Sequence, residues 1–198
     1  MTARAVLAAV VATAVLWPAC ATLAEDAPAA SPRAFALVDH LGRQVTDRDF
    51  LGSFVLLFFG YSHCPDICPT ELAVIADAIE RLGAPGARVQ PLFITIDPAR
   101  DTAEALAAYV GSFHPRLIGL TGSPAQIAAV AAGYRVGVHK VEPEGDGGPG
   151  ADDYVIDHTA ASYLIGPDGR VLGLFQHGTP AADIAAAIRP LLAGTRAD

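Results

Sequence analysis

Cysteine is scarce in this chain of 198 residues, which has only Cys20, Cys64 and Cys68. So few thiols exclude a disulfide-stapled scaffold and the four-cysteine set of an iron-sulfur cluster. The haem attachment sequence Cys-x-x-Cys-His is absent, because three residues separate Cys64 from Cys68 and the neighbouring His63 precedes the pair. The Pro-x-x-x-Thr/Ser-x-x-Cys run of a thiol peroxidase does not lead into Cys64 either. Basic residues are in deficit, 13 against 21 acidic ones, for a net charge of −8. That sign repels phosphate backbones, so nucleic acid is not an expected partner, and it favours solubility. No internal repeat is visible, and the apolar stretch at residues 5–16 is short and alanine-rich, a poor match to the roughly 20 strongly apolar residues of a spanning helix.

What is present begins with a targeting pattern. Arg4, the apolar stretch and the small residues that follow up to Ala24 have the make-up of a signal peptide. Residues 1–24 are expected to be a leader cleaved after Ala24 or an N-terminal anchor. Either places the remainder in the periplasm or another exported compartment, soluble or tethered to the outer face of the inner membrane. A lipid anchor on Cys20 is disfavoured by Trp17 and Pro18. Residues 25–33, rich in alanine and proline, suit a flexible linker, and a single domain is expected over 34–198.

Within that domain the periodicity describes an α/β sandwich with a mixed sheet. Phe35, Leu37 and Val38, a turn near Gly42, and Val45 suggest an N-terminal β-hairpin. Residues 53–59 are nearly all apolar, as expected of a strand covered on both faces. Pro69 suits a first helical turn, and Leu72, Ile75, Ile79 and Leu82 recur at helical spacing until Gly83. A second buried strand is expected at 89–96. A helix with Asp101 and Glu104 as its capping box follows, and another opens at Ser123 with Gln126. Strands at 162–165 and 170–175 flank the turn signal Gly-Pro-Asp-Gly, and a last helix over 181–192 should bury Ile184, Ile188 and Leu191. Residues 142–153, acidic and glycine-rich, read as a solvated loop.

Cys64 and Cys68 lie between the apolar strand and the first helix, in Gly-Tyr-Ser-His-Cys-Pro-Asp-Ile-Cys-Pro at 60–69. At that spacing on an opening helical turn the two sulfurs can be a dithiol, a disulfide or a ligand pair. Their place beyond the carboxyl end of a central strand is one that ligand sites favour in α/β sheets. A helix amino terminus lowers a thiol pKa, and two soft thiolates favour Cu(I) or zinc. Since a structural zinc site needs four protein ligands, copper, content with two sulfurs and one nitrogen, is the economical candidate. Among the six histidines, His63 should project away from the cysteine face, and His40, His114, His139 and His177 read as surface residues. His158 differs, standing where a strand begins whose neighbour in the sheet is expected to be the cysteine-bearing strand.

Three motifs in order, Cys-Pro-Asp-Ile-Cys-Pro at 64–69, Ile-Asp-Pro-Ala-Arg-Asp-Thr at 96–102, and Asp-His-Thr at 157–159 followed by Gly-Pro-Asp-Gly, resemble the Sco/SenC family of copper chaperones. The resemblance spans residues 35–192. It implies a thioredoxin-like fold in which Cys64, Cys68 and His158 hold copper, as Cu(I) or Cu(II), with Asp97 beside the site. It further implies an assembly factor, not an enzyme in the turnover sense. Such a factor delivers copper to the copper-accepting subunit of cytochrome c oxidase, reduces that subunit's cysteines, or does both, and it deals with thiol reductases or other copper carriers. The competing expectation is a thiol-disulfide oxidoreductase or peroxide-reducing enzyme on the same fold. The three-residue spacing between the cysteines argues against a general reductase, whose motif has two.

Overall fold

Ala36–Asp39 (β1) and Gln44–Thr46 (β2) pair antiparallel as the expected hairpin, with Leu37 opposite Val45. Phe54–Gly60 (β3) is buried at every position. Ile67–Leu82 (α1) follows and turns its apolar stripe, Leu72, Ile75, Ile79 and Leu82, into the core. Val89–Thr95 (β4) returns parallel to β3 with Phe58 beside Phe93. Next come Ala103–Val110 (α2), Ile118–Thr121 (β5) and Pro124–Gly133 (α3). Val138–Val141 (β6) and Val155–His158 (β7) form a separate pair, and Ala161–Ile165 (β8), Val171–Gln176 (β9) and Ala181–Gly194 (α4) complete the order. The computed structural model describes residues 33–141 and 154–194. The expected leader at 1–24, the linker up to residue 32 and the acidic segment 142–153 lie outside the described residues.

The main sheet has seven strands in the order β2-β1-β5-β4-β3-β8-β9. Parallel pairing runs through β3, β4 and β5, and the other ladders are antiparallel, so the sheet is mixed. Strand β3 is a continuous apolar run, and β4 is one apart from Gln90 and Thr95, because neighbours and helices cover both of their faces. Pro91 is tolerated inside β4 because the β5 ladder begins only at Leu92, which leaves one side of the proline with no ladder to interrupt. Among the described residues no helix is long and apolar enough to cross a membrane.

Several expectations are corrected. Thr102, not Asp101, caps α2: its hydroxyl accepts the Ala105 N–H at 3.2 Å. Asp101 is fully buried and serves the neighbouring loop instead. In α4 the buried stripe is Ile184, Ile188 and Leu192, four residues apart, and Leu191 is left outside it, 37% exposed. His114 is buried, with Nε2 3.1 Å from Glu80 Oε1 and Nδ1 accepting the Arg116 N–H. At Ser123 and Gln126, by contrast, the capping box forms as expected.

A buried carboxylate ties α1 to the far side of β3. Glu71, 1% exposed, accepts from the buried Ser162 hydroxyl of β8 and from His177 Nδ1 beyond β9, each at 3.1 Å. A charge in that position needs both partners, because an unmet buried polar group costs its full desolvation. The substitution Glu71→Ala strands the Ser162 hydroxyl and should lower stability by about 1–3 kcal/mol. Urea unfolding of the reduced protein measures this, and an unchanged midpoint would mean that the tie contributes nothing.

Candidate metal centre

The chain leaves β3 at Gly60, forms a short loop and enters α1 at Ile67, so Cys64 precedes the helix and Cys68 sits in its first turn. Asp66 occupies the N-cap position, yet its side chain makes no capping bond. The Cys64 sulfur takes that place and accepts the Cys68 N–H at 3.4 Å. Both cysteines are free thiols. Burial works to raise the Cys64 pKa, but the N–H groups of Cys68, Asp66 and Ile67 outweigh it and hold the thiol below its ordinary value of 9.0. Cys68 goes the other way. It is fully buried, and burial above all, then the nearby Cys64 and Asp101, pushes its thiol well above the ordinary range.

His158 arrives from β7, 90 residues along the chain, and its Nε2 lies 3.6 Å from Cys68 Sγ. The hydrogen bonding assigns its tautomer. Nδ1 lies 3.1 Å from the Thr159 carbonyl, which can only accept, so Nδ1 carries the proton. Nε2 is therefore a bare lone pair facing sulfur. Burial also holds the imidazole pKa below its ordinary 6.5, which keeps the ring neutral near pH 7. The rings of Phe58 and Tyr61 meet it edge-on at 6.1 and 6.2 Å. Sulfur and nitrogen bound to one ion at about 2.3 and 2.0–2.1 Å stand roughly 3.6–3.8 Å apart at tetrahedral to trigonal angles, which is close to the separation seen. Among the described residues no three such side chains form a closed metal-binding cluster as they stand.

The loop that presents the thiols is held from below. Asp101 accepts from the Ser62 N–H at 3.0 Å, from the Ser62 hydroxyl, and from Thr95 Oγ1 at 2.6 Å. Ser62 Oγ in turn lies 3.0 Å from His63 Nδ1, and His63 turns outward as expected. Gly60 has a steric reason: a Cβ there would stand 2.8 Å from Cys68 Sγ and 3.0 Å from ring carbons of Phe58 and Phe93. Asp97 is buried, but its carboxylate is taken by Arg100 and by the Tyr154 hydroxyl at 2.7 Å. His40 accepts the Gly119 N–H, His139 is exposed on β6, and His177 serves Glu71, so none of these joins the site. The sequence reading missed Tyr61, Glu71, Arg100 and Tyr154. Tyr61 and Arg100 had a signal, their places in the quoted cysteine and Asp-Pro motifs.

Comparisons with known proteins identify the family of the chain. The SCO1/SenC family model matches residues 24–193. The mitochondrial SCO2 homolog of Bos taurus is 46% identical over 164 residues, covering 82% of this chain and 60% of that protein. The chain thus spans about three fifths of the length of the first curated relatives it matches. Among solved structures, the Arabidopsis thaliana ScoI with copper bound superposes with a TM-score of 0.74 at 37% identity, covering 82% of this chain and 98% of that one. The Bradyrhizobium japonicum ScoI with copper bound gives 0.71 at 40% identity, covering 79% and 96%. With a thioredoxin-like fold shared with these structures and a family match over most of its length, this chain belongs to the SCO1/SenC family.

Proposed function

We propose that this protein is a copper carrier in the assembly of cytochrome c oxidase. It takes one copper ion on Cys64, Cys68 and His158. It then passes the ion to the copper-accepting subunit, reduces that subunit's cysteines, or does both as the dinuclear centre is built. The observation that carries this reading is the bare His158 Nε2 at 3.6 Å from the buried Cys68 sulfur. A metal-binding histidine commonly donates its other N–H to a carbonyl or carboxylate, as Nδ1 does here to Thr159. Two relatives solved with copper bound support the choice of cargo. Two thiolates and one imidazole suit a soft monovalent ion, giving a net charge of −1 with Cu(I) and 0 with Cu(II).

The thiol asymmetry also suits reduction. Cys64, partly exposed and with a lowered pKa, is the attacking thiolate on an acceptor disulfide. That attack forms a mixed disulfide and releases one acceptor thiolate. Cys68 then loses its proton and displaces the second acceptor sulfur, so the acceptor gains two electrons and Cys64 and Cys68 end as a disulfide. A thiol reductase must regenerate the pair. The oxidised pair has no thiolates to offer, so loading and redox state exclude one another. This reading places the protein in the periplasm or on the outer face of the inner membrane, with residues 1–24 as signal or tether and 34–198 as the working domain.

Titration of the reduced protein with Cu(I) should saturate at one equivalent. Replacement of either cysteine by alanine should abolish tight retention, and His158→Ala should weaken it by about a hundredfold, the upper end of what even outer partners of a metal site contribute. Retention in His158→Ala equal to that of the parent would refute the ligand assignment.

Affinity should also fall with acid. Each thiol protonated in the empty site releases its proton on loading, worth about tenfold in apparent affinity per pH unit. With its pKa raised, Cys68 meets that condition throughout the neutral range, and Cys64 adds to it only below its own lowered pKa. His158, its pKa lowered, contributes only in acid. Between about pH 8 and pH 6, competition against a copper chelator should show a loss of at least about tenfold per unit. A flat profile would show that the Cys68 thiol is not protonated in the empty site.

A further inference from the structure

The imidazole and the thiols belong to different parts of the fold. Strands β6 and β7 make a two-stranded sheet with no ladder to the seven-stranded one. An isolated two-stranded hairpin is marginal in water, so side-chain contacts must hold this one to the domain. Its carboxyl end is fixed through the chain, since Thr159 and Ala160 lead directly into β8.

The other end of β7 is fastened by Arg100. The guanidinium lies 3.6 Å from the centre of the Tyr154 ring, and its Nη1 donates to the Tyr154 carbonyl at 3.0 Å. Its Nε is paired with Asp97, whose second carboxylate oxygen accepts the Tyr154 hydroxyl at 2.7 Å. The same guanidinium stands 5.6 Å from the ring centre of Tyr61, three residues before Cys64. Tyr61 in turn accepts the Ile156 N–H at 3.1 Å through its hydroxyl and touches the His158 ring with its own. Arg100 is thus wedged between the peptide that carries the thiols and the strand that carries the imidazole. The ion pair is buried, at 8% and 4% side-chain exposure. Burying a pair of this kind often gains little net stability, whereas its fixed fork geometry defines position.

We infer that Arg100, with Asp97 and Tyr154, is a positioning group that sets the reach of His158 toward the two sulfurs, and so the rate at which the cargo is let go. None of the three is among the proposed ligands. The inference rests on the copper-carrier reading above.

The test uses the full-length reduced protein with the substitutions Tyr154→Leu, Tyr154→Phe and Arg100→Lys, each alone and combined with His158→Ala. Two quantities are read: the rate of Cu(I) loss to an excess of chelator, and hydrogen exchange of the Ile156 amide in the metal-free protein. Outer partners of metal ligands typically carry 10–100-fold. Tyr154→Leu and Arg100→Lys should therefore speed copper loss at least about tenfold and expose the Ile156 amide. Tyr154→Phe, which keeps the ring on the guanidinium, should do less. With His158→Ala in place none of them should speed loss further, because no third ligand is left to position. Unchanged loss in the single variants, or equal acceleration in the His158→Ala background, would overturn the inference. If His158→Ala alone releases copper no faster than the parent, the copper-carrier reading fails. If it does release faster while Tyr154→Leu and Arg100→Lys do not, only the positioning role falls.

Discussion

The first turn of α1 ends on a sulfur atom. A helix start leaves backbone N–H groups that need an acceptor, and where an aspartate oxygen would usually serve, the Cys64 thiol receives the Cys68 N–H. One contact thereby fixes three properties. It orients Cys64 toward Cys68, it favours the thiolate at the more exposed position, and it brings the helix start close to the end of β3. Gly60 and Cys68 then share one small volume. The Asp101 bonds to Ser62 prevent the intervening loop from relaxing elsewhere.

The fold assigns rigid and adjustable roles to different elements. The thiols are carried by the junction of a seven-stranded sheet with a long helix, anchored further along by the Glu71 tie to Ser162 and His177. The imidazole is carried by a small accessory sheet. On the proposed carrier role such a division would let one ligand withdraw without disturbing the hydrophobic core. The acid–base properties follow the same split. Burial raises the pKa of the deeper thiol, and the N–H groups at the helix start lower that of the shallower one.

Much of this was legible in the residue pattern, and the omissions have physical causes. Strands β3 and β4 are long apolar runs and helix α1 is strongly periodic, so these elements were identified from their apolar residues. Strand β5 is four residues long with Gly119 inside it, and β6 is exposed at every position. Neither pattern separates from a loop. The Asp101–Thr102 step offers two capping side chains, and only the tertiary demand of Ser62 and Thr95 for the aspartate decides between them. His114 looked solvent-facing because nothing local predicts that Glu80, 34 residues earlier, would pack beside it. At the site, Cys64, Cys68 and His158 were picked out by motif, but their separation was not. That distance depends on β8 lying beside β3, with Ser162 opposite Phe58, and on contacts of Tyr61 and Arg100 with residues far along the chain, which their motifs do not reveal.

The 90-residue interval between Cys68 and His158 has a thermodynamic corollary. An ion gripping both residues acts as a cross-link that closes a very large loop, and closing a loop of that order by a covalent bridge restricts the unfolded chain by roughly 4–5 kcal/mol on the entropic account. The empty and filled forms would then differ in resistance to heat and proteases even where their folded shapes coincide. On the proposed carrier role, the emptied form would be the more easily unfolded of the two.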